Sequence, residues 1–271
     1  MDIISSEQNP LIKEIKNLKR KKYREELKKF YIEGLRFVEE ALDVSNNIDR
    51  IIVSEQFYSN RDNTIMDRIK QMRLQTAIVK DKLFKELADT ENPQGILAVL
   101  KMPSYSMNDV FDESCDMLVV LDSIQDPGNM GTIIRTADAA GAGAVIISKG
   151  CVDVYNPKVM RSTMGSVFHI PLIFADDLVS TINTLKSKGY IFMAAHLKGT
   201  KNYFDMDMTG KIAIIIGNEA NGISDEISSI SDKLVKIPMP GKAESLNASI
   251  AASILIYESV RQRMLNKIDK C

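Results

Sequence analysis

Apolar residues recur along this chain in two rhythms. Ile12, Ile15 and Leu18 fall three apart and share one helical face. Leu35, Val38, Ala41 and Leu42 do the same over Gly34–Val44. Ile48–Val53, Thr76–Val79 and Gly95–Leu100 read as strands, with helices between them at Arg61–Met72 and Asp81–Ala88, the latter with Asp81 as its cap. Beyond residue 116 the pattern changes. Met117–Leu121 is unbroken apolar sequence, as in a strand buried on both faces. Further strands are expected at Ala144–Ser148, Phe168–Ile173, Ile191–Ala195, Ile212–Ile216 and Leu234–Ile237, and helices at Asn129–Ala140, Asp177–Lys188, Ser224–Ile230 and Ser245–Leu265. Buried strands alternating with helices predict an α/β fold with a mostly parallel sheet covered on both sides.

The stretch Met102–Asp116 breaks both rhythms with Pro103, Ser104, Ser106, Asn108, Asp109, Asp112, Glu113 and Ser114, which is linker chemistry. The 271 residues are therefore expected to form a small α/β domain over 1–101, a linker over 102–116 and a larger α/β domain over 117–271. With 45% apolar and 26% charged residues the chain has ordinary globular composition. No apolar run is long enough to span a bilayer, and MDIISSEQNP lacks the pattern of a secretory signal, so no membrane association and a cytoplasmic location are expected. Three scattered cysteines fit a reducing compartment, and the two distant histidines, His169 and His196, argue against a zinc site. The net charge of −1 leaves polyanion binding to local patches. One lies between Lys13 and Lys29, where nine basic residues face three acidic ones and Lys19, Arg20, Lys21, Lys22 and Arg24 are densest. Such a run suits RNA or DNA phosphates through counterion release, or is simply a solvated helix face.

Three segments of turn chemistry follow predicted strands, where ligands of open α/β sheets gather. Asp122-Ser-Ile-Gln-Asp-Pro-Gly-Asn129-Met-Gly131 runs into a helix carrying Arg135; Gly217-Asn-Glu219-Ala-Asn-Gly222 follows an apolar strand; Ile237-Pro-Met239-Pro-Gly241-Lys-Ala-Glu-Ser245-Leu246-Asn247 leads into the last helix. Taken one at a time, these are a capped strand-to-helix turn with a surface arginine, a tight Asn/Gly turn, and a loop ending in a Ser245 cap. The chain has no G-x-G-x-x-G opening this domain, no P-loop and no G-x-S-x-G elbow, which disfavours an NAD-dependent enzyme, a nucleotide triphosphatase or a serine hydrolase.

Together and in order, N129-M-G-x-x-x-R135-T-A-D-A, I-I-G217-N-E219-x-x-G222-I and I237-P-M-x-G241-x-x-x-S245-L-N247-x-S resemble the three motifs of the SpoU (TrmH-like) branch of the SPOUT RNA methyltransferases. Phe30-Tyr-Ile-Glu-Gly34 and Asn92-Pro-Gln-Gly95 resemble the substrate-binding domain joined to many members. The resemblance implies a deep trefoil knot near the C-terminus, a homodimer, and S-adenosylmethionine-dependent methylation of a ribose 2′-hydroxyl in RNA, with rRNA favoured over tRNA. The alternatives are a tRNA ribose methyltransferase and a non-catalytic RNA-binding protein of the same fold. It implies no metal. Carried over by position, Arg135, Asn129, Glu219, Ser245 and Asn247 form the catalytic set. The cofactor is expected among Ala195, Leu197, Gly199, Gly217, Asn218, Glu219, Gly222, Ile237, Met239, Leu246 and Asn247. Lys19, Arg20, Lys21, Lys22, Arg24 and Arg135 are the expected RNA contacts, and His196 is read as a wall residue rather than a base. Ile250, Ile254, Tyr257 and Val260 on the last helix serve either internal packing or a dimer face.

Overall fold

The computed structural model describes residues 2–44, 47–60, 64–107 and 115–268. The linker residues 108–114, Cys271 and the first three residues of the helix expected from Arg61 lie outside the described residues. The chain divides into two compact units, 1–103 with 155–161, and 104–154 with 162–271.

The first unit holds β1 (Ile3–Ile4), β2 (Lys29–Glu33), β3 (Ile48–Ser54), β4 (Thr76–Val79) and β5 (Ile96–Lys101) in the order β1-β4-β3-β5-β2. Its helices are α1 (Pro10–Leu18), α2 (Lys21–Leu27), α3 (Leu35–Val44), α4 (Glu55–Ser59), α5 (Thr64–Gln71) and α6 (Asp81–Leu87). The i, i+3 trio of α1 is wholly buried and packs with Leu83, Phe84 and Leu87 of α6 over Tyr31, Ile52, Val79, Leu97 and Val99 of the sheet. Asp81 does not cap α6. Lys80 occupies the cap position without a side-chain bond, and Asp81 Oδ1 instead accepts the Gln56 N–H at 3.0 Å.

The basic run is not one solvated helix. Arg20 is extended and separates α1 from α2, and the run ends in β2. Arg24 is 3% exposed, and its guanidinium donates to the Leu18 carbonyl at 2.7 Å, closing the end of α1. That corrects its assignment as an RNA contact, because a buried donor with an internal acceptor is withheld from phosphate. Lys19 is also engaged, donating to the carbonyls of Glu86 and Ala88 at 3.2 and 3.0 Å. Arg20, Lys21 and Lys22 remain exposed.

The second unit is built on β6 (Met117–Asp122), β7 (Ala144–Ser148), β8 (Leu172–Ala175), β9 (Ile191–Ala195), β10 (Lys201–Asn202), β11 (Ile212–Gly217) and β12 (Lys233–Lys236). They run in the order β10-β12-β9-β11-β6-β7-β8, and every pairing is parallel. Helices α7 (Pro127–Ala139), α9 (Leu178–Ser187), α10 (Asp225–Ile230) and α11 (Ala248–Ile268) accompany them, while α8 (Pro157–Thr163), between β7 and β8 in the chain, falls mostly among the residues of the first unit. Ile182 and Leu185 of α9 and Ile227 of α10 pack against Leu118, Val120, Phe192 and Ile215 on one face. The strand expected at Phe168–Ile173 is corrected: Met164 and Gly165 take positive φ, the chain turns through a short 3₁₀ segment at Ser166–Phe168, and β8 begins only at Leu172. Val167 and Ile170 are buried all the same, so their apolar signal reflected burial rather than strand. α7 starts at Pro127, earlier than expected, because Asp126 caps it through the Asn129 N–H at 2.8 Å. The last helix is capped by Asn247 rather than Ser245, its Oδ1 accepting from the N–H groups of Ser249 and Ile250.

Removing Arg24 leaves the Leu18 carbonyl without its charged donor, an interaction worth about 1.5–3 kcal/mol. Arg24→Ala should therefore lower unfolding stability by about that amount in denaturant titration, whereas Lys22→Ser should change it by less than about 0.5 kcal/mol. Equal effects would restore Arg24 to the exposed basic surface.

Candidate active site

The strands β9, β11 and β12 end in polar turns around one cleft of about 1000 Å³, the upper range for small-molecule sites. Ala195 and Leu197 after β9, Gly217–Gly222 after β11, and Ile237, Met239 and Leu246 after β12 all line it. Of the expected cofactor residues, Gly199 and Asn247 are outside that lining. Gly199 is buried against the backbone of Val235 and Lys236, and Asn247 is spent on the α11 cap. Ser245 lines the cleft and is exposed, as is His196's neighbour Leu197. His196 lines it too, with Nδ1 accepting the Lys198 N–H at 3.0 Å; this is a turn-forming wall residue.

The turn after β11 is tightly specified. Asn218 and Gly222 exchange backbone hydrogen bonds at 2.9 Å each, and the Asn218 side chain accepts from Ala220 and Asn221. A Cβ on Gly217 would lie 2.3 Å from backbone atoms of Gly222 and Ile223, so no other residue fits where the turn folds back. Sequence reasoning did not single out the residue beneath this turn. Asp122 is 6% exposed, and its Oδ2 accepts both the N–H and the hydroxyl of Ser224 at 3.0 Å. Ser123 beside it adopts φ 60° and accepts Asn218 Nδ2 at its carbonyl, 2.8 Å away. A signal was present: an acidic residue ends an otherwise apolar strand.

Glu219 joins this turn to α7. Its carboxylate accepts the N–H groups of Gln125 and Asp126 at 3.2 and 3.1 Å and Asn129 Nδ2 at 3.0 Å. Burial works to raise its pKa, but Asn129 and the backbone donors outweigh it and hold the carboxyl below its usual range. The negative charge also sits at the positive end of a helix. Asn129 and Glu219 thus form one pair, with the Glu219 carboxylate held by Asn129 Nδ2 and by the backbone leading into α7. Arg135, two turns along α7, is exposed, has no ionic or hydrogen-bonding partner among the described residues, and is not part of the cleft lining. Among the described residues no group of three His, Cys, Asp or Glu could hold a metal.

The lowered Glu219 pKa has a signed consequence. Its stabilisation is present above the unfolded glutamate value, about 4.3, and is lost as pH falls through the lower folded value. The stability difference between the wild type and Glu219→Gln should be full at pH 7 and shrink below about pH 4.3, measured by denaturation at each pH. A difference independent of pH would show that the carboxylate charge does not hold the turn.

Residues 116–257 match the SpoU rRNA Methylase family, and residues 9–98 match the MRM3-like substrate binding domain. A Bacillus subtilis protein named 23S rRNA (guanosine(2553)-2′-O)-methyltransferase RlmP is 35% identical over 95% of this chain and 98% of its own. The AdoMet-bound rRNA methyltransferase of Sinorhizobium meliloti superimposes with a TM-score of 0.85 at 32% identity, covering 96% of this chain and 97% of that one. The SpoU methyltransferase AviRb of Streptomyces viridochromogenes, in complex with AdoMet, gives 0.85 at 28% identity over 95% and 99% of the two chains. The parallel sheet, the turns at its carboxyl ends and these matches agree: the chain belongs to the SpoU rRNA methylase family, of the SPOUT fold.

Proposed function

We propose that this protein methylates a ribose 2′-hydroxyl of rRNA with S-adenosylmethionine, in the cytoplasm. The observation that carries the reading is convergence: two of the three motif turns line one cleft, and Glu219 ties the third to them. The cleft fits the cofactor. It has the volume, apolar walls at Ile216, Ile237, Met239 and Leu246, and a Gly217 position where nothing but hydrogen can stand. When bound, S-adenosylmethionine supplies an electrophilic methyl group on a sulfonium whose departure as neutral sulfur needs no acid.

The protein's task is positioning and charge. Asn218, Gly222 and Met239 line the cleft wall, where their backbone lies next to a bound cofactor. Holding the ribose oxygen in line with its target is worth at best roughly 7–11 kcal/mol. The planar Arg135 guanidinium clamps the target phosphate and stabilises charge developing on the ribose oxygen. With no partner among the described residues, its donors are available. Arg20, Lys21 and Lys22 give the first unit an exposed cationic surface for the same RNA.

Two copies are proposed to pair through α11. The helix buries Ala252, Leu255, Ile256 and Ser259 inside its own unit, while Ile250, Tyr257, Met264 and Leu265 form an exposed stripe. Packing and a second-copy surface are thus on different faces of one helix, with Ile254 and Val260 half-buried between them. Tyr257→Glu with Leu265→Glu should shift sedimentation from dimer to monomer; unchanged sedimentation at either state would overturn this surface.

For the chemistry, single-turnover transfer of labelled methyl to unmodified 23S rRNA, with the product mapped, is the test. Arg135→Ala should lower the rate on the order of a hundred- to a thousandfold with cofactor affinity near wild type. Arg135→Lys should recover only part, since a point charge cannot reproduce the two-pronged donor. Wild-type rates in Arg135→Ala would overturn the assignment, and methyl groups found on bases would overturn the ribose reading.

A further inference from the structure

The far edge of the second unit's sheet carries an unusual charge pattern. Lys198 and Lys201 flank the end of β9 and begin β10; Lys233 and Lys236 bound β12; Lys242 follows in the loop. Among the described residues none of the five has a carboxylate partner. Some lysines elsewhere are paired, Lys16 with Glu7 and Glu86, Lys29 with Glu14 and Asp49, Lys186 with Asp232. Of the nearby acids, Asp232 is taken by Lys186 and Asp205 by the Asn202 side chain at 3.0 Å, while Glu219, Asp225 and Glu244 share the cleft lining with Lys198 and Lys236.

Register brings these cations to the cleft. β10 pairs with β12 in parallel, setting Asn202 opposite Lys236, and Asn202, Lys236 and Lys198 all line the cleft. Next to them the Tyr203–Phe204 pair, rings 5.2 Å apart edge to face, leaves Phe204 half exposed. Leu197, beside Lys198 in the turn after β9, is 66% exposed. Lysines protect sheet edges against pairing, but β10 is only two residues long and already blunts this edge, and Lys236 is on an inner strand facing the cleft. Edge protection leaves Lys198 and Lys236 unexplained.

We propose that Lys198, Lys201 and Lys236, with the Phe204 ring, form a landing surface for single-stranded RNA at the mouth of the cleft. The lysines take the phosphates flanking the target nucleotide and Phe204 stacks an unpaired base. Interleaved cations and an exposed ring are the combination that tracks a single-stranded backbone without reading its sequence. The assignment rests on the RNA-methylation reading above. It is separate from the cationic α2 surface of the first unit, and it gives the catalytic unit its own hold on the substrate.

The test measures binding of unmodified 23S rRNA, and of a single-stranded RNA oligonucleotide, across salt concentrations at saturating S-adenosylmethionine. Changing Lys198, Lys201 and Lys236 to Ser together should reduce the salt slope by about two to three, roughly one per lost phosphate contact. The same positions changed to Arg should retain it, which guards against misfolding as the cause. Phe204→Ala should weaken the oligonucleotide on the order of tenfold without altering the slope. An unchanged slope in the Ser variant would overturn the landing surface and leave these lysines as solubility and edge features. Failure of the two readings is distinguishable: methylation with an unchanged slope overturns only this surface, whereas wild-type protein that transfers no methyl to rRNA overturns the functional reading whatever the slopes.

Discussion

Everything at the cleft depends on one carboxylate standing at the head of one helix. Glu219 belongs to the turn after β11, yet its acceptors are filled by Gln125, Asp126 and Asn129 at the start of α7. Helix starts present donors that the helix itself cannot satisfy, so a carboxylate delivered from elsewhere both satisfies them and is held by them. The turn that walls the cleft and the helix that carries Arg135 consequently move as one piece. Asp122 repeats the device one layer below, taking the N–H and hydroxyl of Ser224 from the far side of the same turn. Two acids with no cationic partner among these contacts fix the turn from both ends.

The sheet of the second unit was legible because its strands are buried on both faces, which makes them continuous apolar runs with sharp ends: Ala144–Ser148 and Ile191–Ala195 agree with the sequence reading residue for residue. Legibility failed where burial and backbone conformation part company. Val167 and Ile170 are core residues on a turn, and the positive φ of Met164, a residue that ordinarily avoids it, has no sequence signature. The short strands β1 and β10, two residues each, are too brief for any period to register. At the site, motif order located the cleft, but spacing could not separate residues that line it from residues that frame it. Asn129, Glu219 and Asn247 direct their side chains to backbone N–H groups and to one another, and only the hydrogen-bond partners reveal this.

The same limit explains the basic run. A string of lysines and arginines says how much charge is present and nothing about which charges are already spent. Arg24 closes a helix and Lys19 ties down a loop. At the cleft, Lys198 and Lys236 have no carboxylate partner among the described residues. In a chain of net charge −1, which cations lack an internal partner, rather than their density in sequence, decides which of them can meet a polyanion.

The pairing of β6 with β11 also constrains how the protein comes into being. Asp122 meets Ser224 across 102 residues of chain, and contacts of such separation form late because the loop must first close. On a ribosome adding about 5–20 residues per second, some 5–20 seconds pass between the emergence of the two partners. Throughout that interval β6 lacks its β11 neighbour, and the carboxylate of Asp122 has no turn to hold. The interval in which the nascent chain is most open to aggregation is therefore set by strand order rather than by composition.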